Sequence, residues 1–217
     1  MPVFMVGAPR CALVDLGPVV HDNRGMALPE DDPPAYGLTI RDGEEIRAQY
    51  PDQEWIVSWH PPDRPPDGTP HGAVGVCITA DGQLVLISND QLHWGFPGGR
   101  PEGNEPPEET LCREILEEAC AVVVGAPRLL GFIRSRCVRG WQQGLVLVRS
   151  YWRAEVEVGP WAPRFEIPYR RLVPLAEAAE HLREPDPVAN RVSYRALYEA
   201  GVQAAGGLSP RARQEPS

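Results

Sequence analysis

Blocks of apolar residues separated by turn-forming ones run through most of the chain after residue 70, and their spacing predicts its elements. Ala73–Thr79 and Gln83–Ser88 are apolar runs split by Ala80-Asp81-Gly82, which predicts a β-hairpin. Pro107–Ala119 places Leu111, Ile115 and Ala119 at helical spacing and opens with a proline pair suited to a first helical turn. Leu129–Arg134, Leu145–Val158 and Arg171–Leu175 read as further strands, Leu175–Leu182 as a short amphipathic helix, and Ala189–Ala205 as a late helix. A hairpin, a helix, several strands and a last helix imply an α/β fold in which helices cover a mixed sheet.

Upstream the pattern is weaker. Residues 1–71 are rich in proline and acidic residues, with short apolar runs at Cys11–Leu16 and Trp55–Trp59. They end in the stiff stretch His60–His71, which carries Pro61, Pro62, Pro65, Pro66 and Pro70 and reads as a linker. The organisation expected is an N-terminal extension over 1–71, a domain over 72–205, and a polar tail over 206–217 without fixed structure. Trp55-Ile56-Val57-Ser58-Trp59 is strongly β-forming, and a strand with two tryptophans on one face needs a partner. It is expected to pack on the downstream domain or on a second subunit, shaping a substrate pocket or a homodimer.

Composition narrows the function classes. The 217 residues carry a net charge of -9, which argues against a nucleic-acid partner or an anionic membrane surface. All 21 basic residues are arginine. The five cysteines, Cys11, Cys77, Cys112, Cys120 and Cys137, are scattered and include no C-x-x-C pair, so neither a disulfide framework nor a zinc site is expected. The first twenty residues lack a cationic stretch and are interrupted by Arg10 and Asp15, and no apolar run approaches membrane-spanning length. A soluble cytoplasmic protein is the expectation.

The chemistry is concentrated in Gly98-Gly99-Arg100-Pro101-Glu102-Gly103-Asn104-Glu105 and the helix after it. At about 100° per residue, Glu114, Glu117 and Glu118 fall within an arc of roughly 100°, beside the apolar stripe of Leu111, Ile115 and Ala119. An acidic stripe by itself is more often a solvated helix face. Here the glycine-rich loop can also fold Glu102 and Glu105 towards the same place. Hard oxygen ligands gathered in this way suit Mg²⁺ or Mn²⁺, which would relieve their repulsion and let an acidic protein hold phosphate oxygens.

The spacing is specific. From Gly99 the chain runs five residues to Glu105, seven more to Arg113-Glu114-Ile115, and one more to Glu117-Glu118. This resembles the Nudix box, and Trp94-Gly95-Phe96-Pro97-Gly98-Gly99 resembles the strand end that leads into it. The resemblance implies a Nudix-type α/β/α sandwich with a mixed sheet, in which the box forms a loop–helix–loop. It also implies Mg²⁺- or Mn²⁺-dependent hydrolysis of a diphosphate linkage in a nucleotide or nucleoside diphosphate derivative. Glu114, Glu117 and Glu118 fall on the family's metal-binding positions, with Gly99 and Glu102 as further ligands, and Glu118 is the candidate to bridge metal and attacking water. Arg113 falls on the position that orients a box carboxylate, with Glu102 as the partner expected. Glu166 lies at an offset where some members carry a catalytic glutamate, and Trp94, Gly98 and Gly99 are candidates for substrate contact; Trp141 and Trp152 could also stack a base. One departure is that Cys120 stands where the box has its late glycine. A left-handed cysteine costs about 1–2 kcal/mol, so the helix is expected to exit differently, nearer Gly125. A second reading is a nucleotide-binding sensor or interaction module of the same fold that does not turn its ligand over.

Overall fold

The computed structural model describes residues 39–163 and 167–202. The run Cys11–Leu16, the residue Glu166 and the tail 206–217 lie outside the described residues. Within them the strands are β1 (Glu45–Tyr50), β2 (Gln53–His60), β3 (Thr69–Thr79), β4 (Gln83–Ser88), β5 (Gly98–Gly99), β6 (Ala121–Val123), β7 (Arg128–Arg139), β8 (Val146–Val158) and β9 (Tyr169–Pro174). The helices are α1 (Pro107–Ala119), α2 (Ala178–His181) and α3 (Pro187–Glu199). All nine strands join one sheet in the order β1-β2-β7-β8-β3-β4-β9, with β5 attached to β3 and β6 to β8. The β3–β8 pair is parallel and the others are antiparallel, so the sheet is mixed.

The sheet is covered on both faces, which is why its central strands are apolar runs rather than clean alternations. Ala73, Cys77, Val85, Ile87, Trp152 and Ala154 meet Leu111 and Ile115 of α1. Their neighbours Val74, Val76, Leu84, Leu86 and Tyr151 meet Val192, Ala196 and Leu197 of α3. Leu111 and Ile115 are fully buried, each contributing about 1.5–3 kcal/mol of apolar burial. Gly75 lets α1 sit this close: a Cβ there would stand 3.1 Å from both Leu111 Cδ1 and Ile115 Cδ1. The β3–β4 hairpin closes as the turn tripeptide requires, with Gly82 at φ 78° and its N–H donating to Thr79 O at 2.9 Å.

The run Trp55–Trp59 finds its partner in the same chain. It forms most of β2, which pairs with β7 on one side and β1 on the other, and Trp59 is fully buried. The proline-rich stretch is a connection over residues 61–68 between β2 and β3, and Thr69–His71 already belong to β3. The late helix begins two residues before its expected start, because Asp186 caps it by accepting from Val188 N at 2.7 Å and Pro187 occupies the first turn. It ends at Glu199, where Gly201 at φ 75° donates to Tyr198 O and Val202 donates to Leu197 O. Among the described residues no helix is long and apolar enough to cross a membrane.

Cys120 corrects the expected helix exit. It is itself left-handed, at φ 48° and ψ 46°, and its N–H donates to Ile115 O. External bonds hold it there: Arg170 Nη1 donates to Ala119 O at 2.7 Å and to Gly159 O at 3.2 Å, while Gly159 N donates to Cys120 O at 2.9 Å. The helix-terminal carbonyls are met by a guanidinium from β9, so the turn forms without glycine.

Candidate active site

The two-residue strand β5 places the loop against α1. Ala73 pairs with Gly99 and Val74 with Gly98, so the loop's start is fixed to the centre of the sheet. Both glycines are required by close approach. A Cβ on Gly98 would come within 2.7 Å of Val74 Cα, and one on Gly99 would overlap the Glu114 carboxylate. The loop then returns to the helix through Glu105, whose Oε2 accepts from Glu102 N at 3.0 Å and Thr110 Oγ1 at 3.2 Å.

Arg113 organises the acidic stripe. Its Nε donates to Glu105 Oε1 at 2.9 Å, its Nη2 to Glu105 Oε2 at 3.0 Å and to Arg100 O at 2.8 Å. Its Nη1 lies 3.0 Å from Glu114 Oε1 and 3.1 Å from Glu117 Oε2. The expected partner Glu102 is thus corrected to Glu105; the Glu102 side chain is exposed, and only its backbone N–H and carbonyl join the network. Spacing alone could not separate them, since both sit in a loop that can fold either carboxylate inward.

The carboxylates differ sharply in their electrostatics. The Arg113 guanidinium, with the Glu102 N–H, holds Glu105 down to about 2. Glu114 is buried, and desolvation raises it despite Arg113. Glu118 Oε2 accepts from Gly98 N at 2.8 Å, while burial and the charges of Glu114 and Glu117 push Glu118 up to about 8. Among the described residues Glu118 has no ion-pair partner, and only the more distant Arg149 charge and the Gly98 N–H oppose its rise.

Among the described residues no three carboxylate, histidine or cysteine side chains already stand close enough to hold a cation together. The donor chemistry nevertheless fits a hard divalent cation: Glu114, Glu117 and Glu118 are oxygen donors on one helix stripe, and Glu114 and Glu118 carry desolvation and carboxylate crowding that Arg113 and Gly98 N–H only partly offset. The hydrogen-bearing Cα of Gly99 leaves the Glu114 carboxylate room at the loop.

The other candidates fall elsewhere. Trp94 is a core residue: it is buried, Arg171 lies 4.0 Å above its ring and its Nε1 donates to Gln91 O, so no open face remains for a base. Trp152 packs under α1 with Nε1 on Ser150 Oγ, and Trp141 stands 81% exposed between β7 and β8. A pocket of about 690 Å³ borders Glu117, Leu116, Cys120 and Glu157 on the outer side of α1. Two residues near the site had not been singled out. Arg149 on β8 crosses Gly72, whose Cβ would lie 3.1 Å from Arg149 Nε and overlap Gly99 O. Glu184 is bonded to Ser193 Oγ at 2.9 Å and raised by burial, with the Arg149 charge opposing that rise. The available signal was Arg149 itself, the one charge in the apolar run Leu145–Trp152.

Comparison with known proteins agrees with this arrangement. The family description NUDIX domain matches residues 69–197. Among solved structures, a pyrophosphohydrolase of Bacillus subtilis is similar at 24% identity, covering 74% of this chain and 99% of its own, with a TM-score of 0.53. A MutT NUDIX hydrolase from Burkholderia pseudomallei is similar at 24% identity, covering 60% of this chain and 98% of its own, with a TM-score of 0.43. A NUDIX hydrolase from Nitrosomonas europaea is similar at 19% identity, covering 63% and 93% respectively, with a TM-score of 0.46. No curated protein matches the chain significantly. The Bacillus subtilis structure, with its TM-score of 0.53, speaks to the fold, and the match over residues 69–197 speaks to descent: the chain belongs to the Nudix family.

Proposed function

We propose that the protein is a Mg²⁺- or Mn²⁺-dependent hydrolase that cleaves a diphosphate linkage in a nucleotide or nucleoside diphosphate derivative. The observation that carries this reading is the acidic stripe of α1, Glu114, Glu117 and Glu118, in which Glu118 Oε2 is held by Gly98 N–H at the loop and Glu118 has no ion-pair partner among the described residues. Glu114, Glu117 and Glu118 would hold the metal. A bound divalent cation supplies charge neutralisation on the diphosphate and lowers the pKa of a coordinated water. The chain's own residues do the positioning. Gly98 N–H holds one Glu118 oxygen, leaving Oε1 free to accept a proton from water as that water attacks phosphorus and the bridging P–O bond breaks. Arg113 fixes the loop to the helix, so the carboxylate stripe and β5 keep one spacing.

The test is incubation with Mg²⁺ and a panel of nucleoside triphosphates, dinucleoside polyphosphates, nucleotide sugars and ADP-ribose, with product identification. Turnover that EDTA abolishes and Mg²⁺ restores supports the reading. Tight nucleotide binding without turnover of any member would replace it with a binding module.

A further inference from the structure

The half-buried arginines near the core find partners. Arg113, Arg153, Arg170 and Arg195 each reach carboxylates or carbonyls. Among the described arginines, only Arg100, Arg149 and Arg183 have no side-chain hydrogen bond, ion pair or ring contact, and of these only Arg149 is half-buried. A guanidinium withdrawn from water without a partner is costly, so its place calls for an anion. That place is specific. Arg149 Nε stands over the bare Cα of Gly72, whose missing Cβ would also overlap the Gly99 carbonyl, and one residue along β3 that strand pairs with Gly99 and then Gly98, whose N–H holds Glu118. The nearby carboxylates are engaged elsewhere, Glu118 on Gly98 N and Glu184 on Ser193 Oγ, and neither reaches ion-pair distance of Arg149.

Arg100 follows Gly99 directly and is the second free guanidinium at this edge. The two guanidinium-bearing residues meet at one place: a Cβ on Gly72 would stand 3.1 Å from Arg149 Nε on one side and overlap the carbonyl of Gly99, the residue before Arg100, on the other. Two guanidiniums at one edge, neither with a side-chain partner, suit one ligand group bearing more than one charge and several acceptor oxygens. A terminal phosphate carries about 1.5–2 negative charges near neutral pH, whereas a phosphate esterified on both sides carries one.

We propose that Arg149, with Arg100, binds a terminal phosphate lying beyond the scissile linkage. The preferred substrates are then nucleoside polyphosphates with a free phosphate end rather than diphosphates esterified at both ends. This deepens the hydrolase reading above and rests on it. Arg149 is a specificity-determining residue, and its loss acts on binding of one substrate class.

The experiment compares full-length wild type, Arg149→Gln, Arg149→Lys and Arg100→Gln in Mg²⁺. It measures steady-state kinetics on ATP and on ADP-ribose, and calorimetric binding of inorganic tripolyphosphate. Wild type should favour ATP. Arg149→Gln should lose on the order of tenfold to a hundredfold in kcat/KM for ATP, mostly through KM, with a smaller loss for ADP-ribose. Tripolyphosphate affinity should fall at least about tenfold in the same variant and recover in part in Arg149→Lys. Equal losses on both substrates, or tripolyphosphate binding within about twofold of wild type, would overturn the proposal. Should Arg149→Gln not fold, the exposed Arg100→Gln carries the same comparison. The two readings fail separately: no turnover by wild type with tripolyphosphate binding lost in Arg149→Gln defeats the hydrolase reading alone. Turnover indifferent to Arg149 defeats this inference alone.

Discussion

Replacing Glu118 by glutamine should separate the catalytic cost of that carboxylate from its burden on the fold. The folded pKa stands near 8 against an ordinary 4.5, with burial as the first cause and Glu114 and Glu117 as further ones. A carboxylate raised in this way binds its proton more tightly in the folded state. Its contribution to stability is therefore full below about pH 4.5 and is lost progressively as pH rises through 8. At about 1.4 kcal/mol per pH unit the difference bounds the loss at roughly 5 kcal/mol, and partial solvent screening reduces it to about 2–3 kcal/mol. Glutamine keeps an acceptor for Gly98 N–H but cannot ionise. In EDTA at pH 9 the variant should be more stable than wild type by that amount, a rise of about 5–10 °C in Tm for a chain of this size. At pH 5 the two should coincide. Glu114 and Glu184 are raised as well and remain in both proteins, so the difference between the two curves isolates Glu118. In Mg²⁺ the variant should lose at least about two orders of magnitude in turnover. Thermal unfolding across pH 5–9 checks the first claim and steady-state rates the second. A variant no more stable than wild type at pH 9 would refute the account of Glu118 as a buried, charge-crowded group.

Other consequences follow from single contacts. Gly99→Ala drives a Cβ into the Glu114 carboxylate and should lower turnover on the order of a hundredfold, read as kcat/KM at saturating Mg²⁺. Arg170→Met removes the donors to Ala119 O and Gly159 O and should cost about 1–2 kcal/mol in urea unfolding. Removal of residues 1–60 strips β1 and β2 from the sheet, exposing the β7 edge; the product should aggregate in light scattering, and a soluble monomer with cooperative unfolding would contradict the packing of Trp59.

The elements that declared themselves were those whose pattern is local. Ala80-Asp81-Gly82 fixes a hairpin with no help from elsewhere, and Leu111, Ile115 and Ala119 mark one helix face by spacing alone. The ends of α3 are not readable from its apolar stripe because its capping lies outside it: Asp186 stops it on one side and Gly201 on the other. β1 is not legible in the sequence although Ile46, Ala48 and Tyr50 alternate inward, since the surrounding prolines and acids mask six residues of period two. At the site, spacing delivered Glu105, Arg113, Glu114, Glu117 and Glu118 as a set. It could not say that Arg113 would take Glu105, nor that Arg149, forty-four residues and several strands from Glu105, would arrive beside Gly72. That meeting depends on the parallel pairing of β3 with β8, which is a property of topology and not of any local run.

The same topology explains why carboxylates so close in sequence behave so differently. Arg113 has one guanidinium to distribute, and the loop decides its allocation. Glu105 takes Nε and Nη2 and is held near 2, so it is an anchor that stays charged across the working pH range. Glu114 and Glu117 share Nη1, so each is only partly compensated. Glu118, one helical turn beyond Glu114, lies past the reach of the guanidinium and meets the sheet through Gly98 N instead. Anchoring at Glu105 keeps the guanidinium at the helix's opening turns. The charge left unmet therefore accumulates at the one carboxylate bonded to β5, across the same strand gap at which Arg149 stands unpaired. A crowded carboxylate on the helix side and an arginine without a side-chain partner on the sheet side are what the proposed divalent cation and polyphosphate would complete.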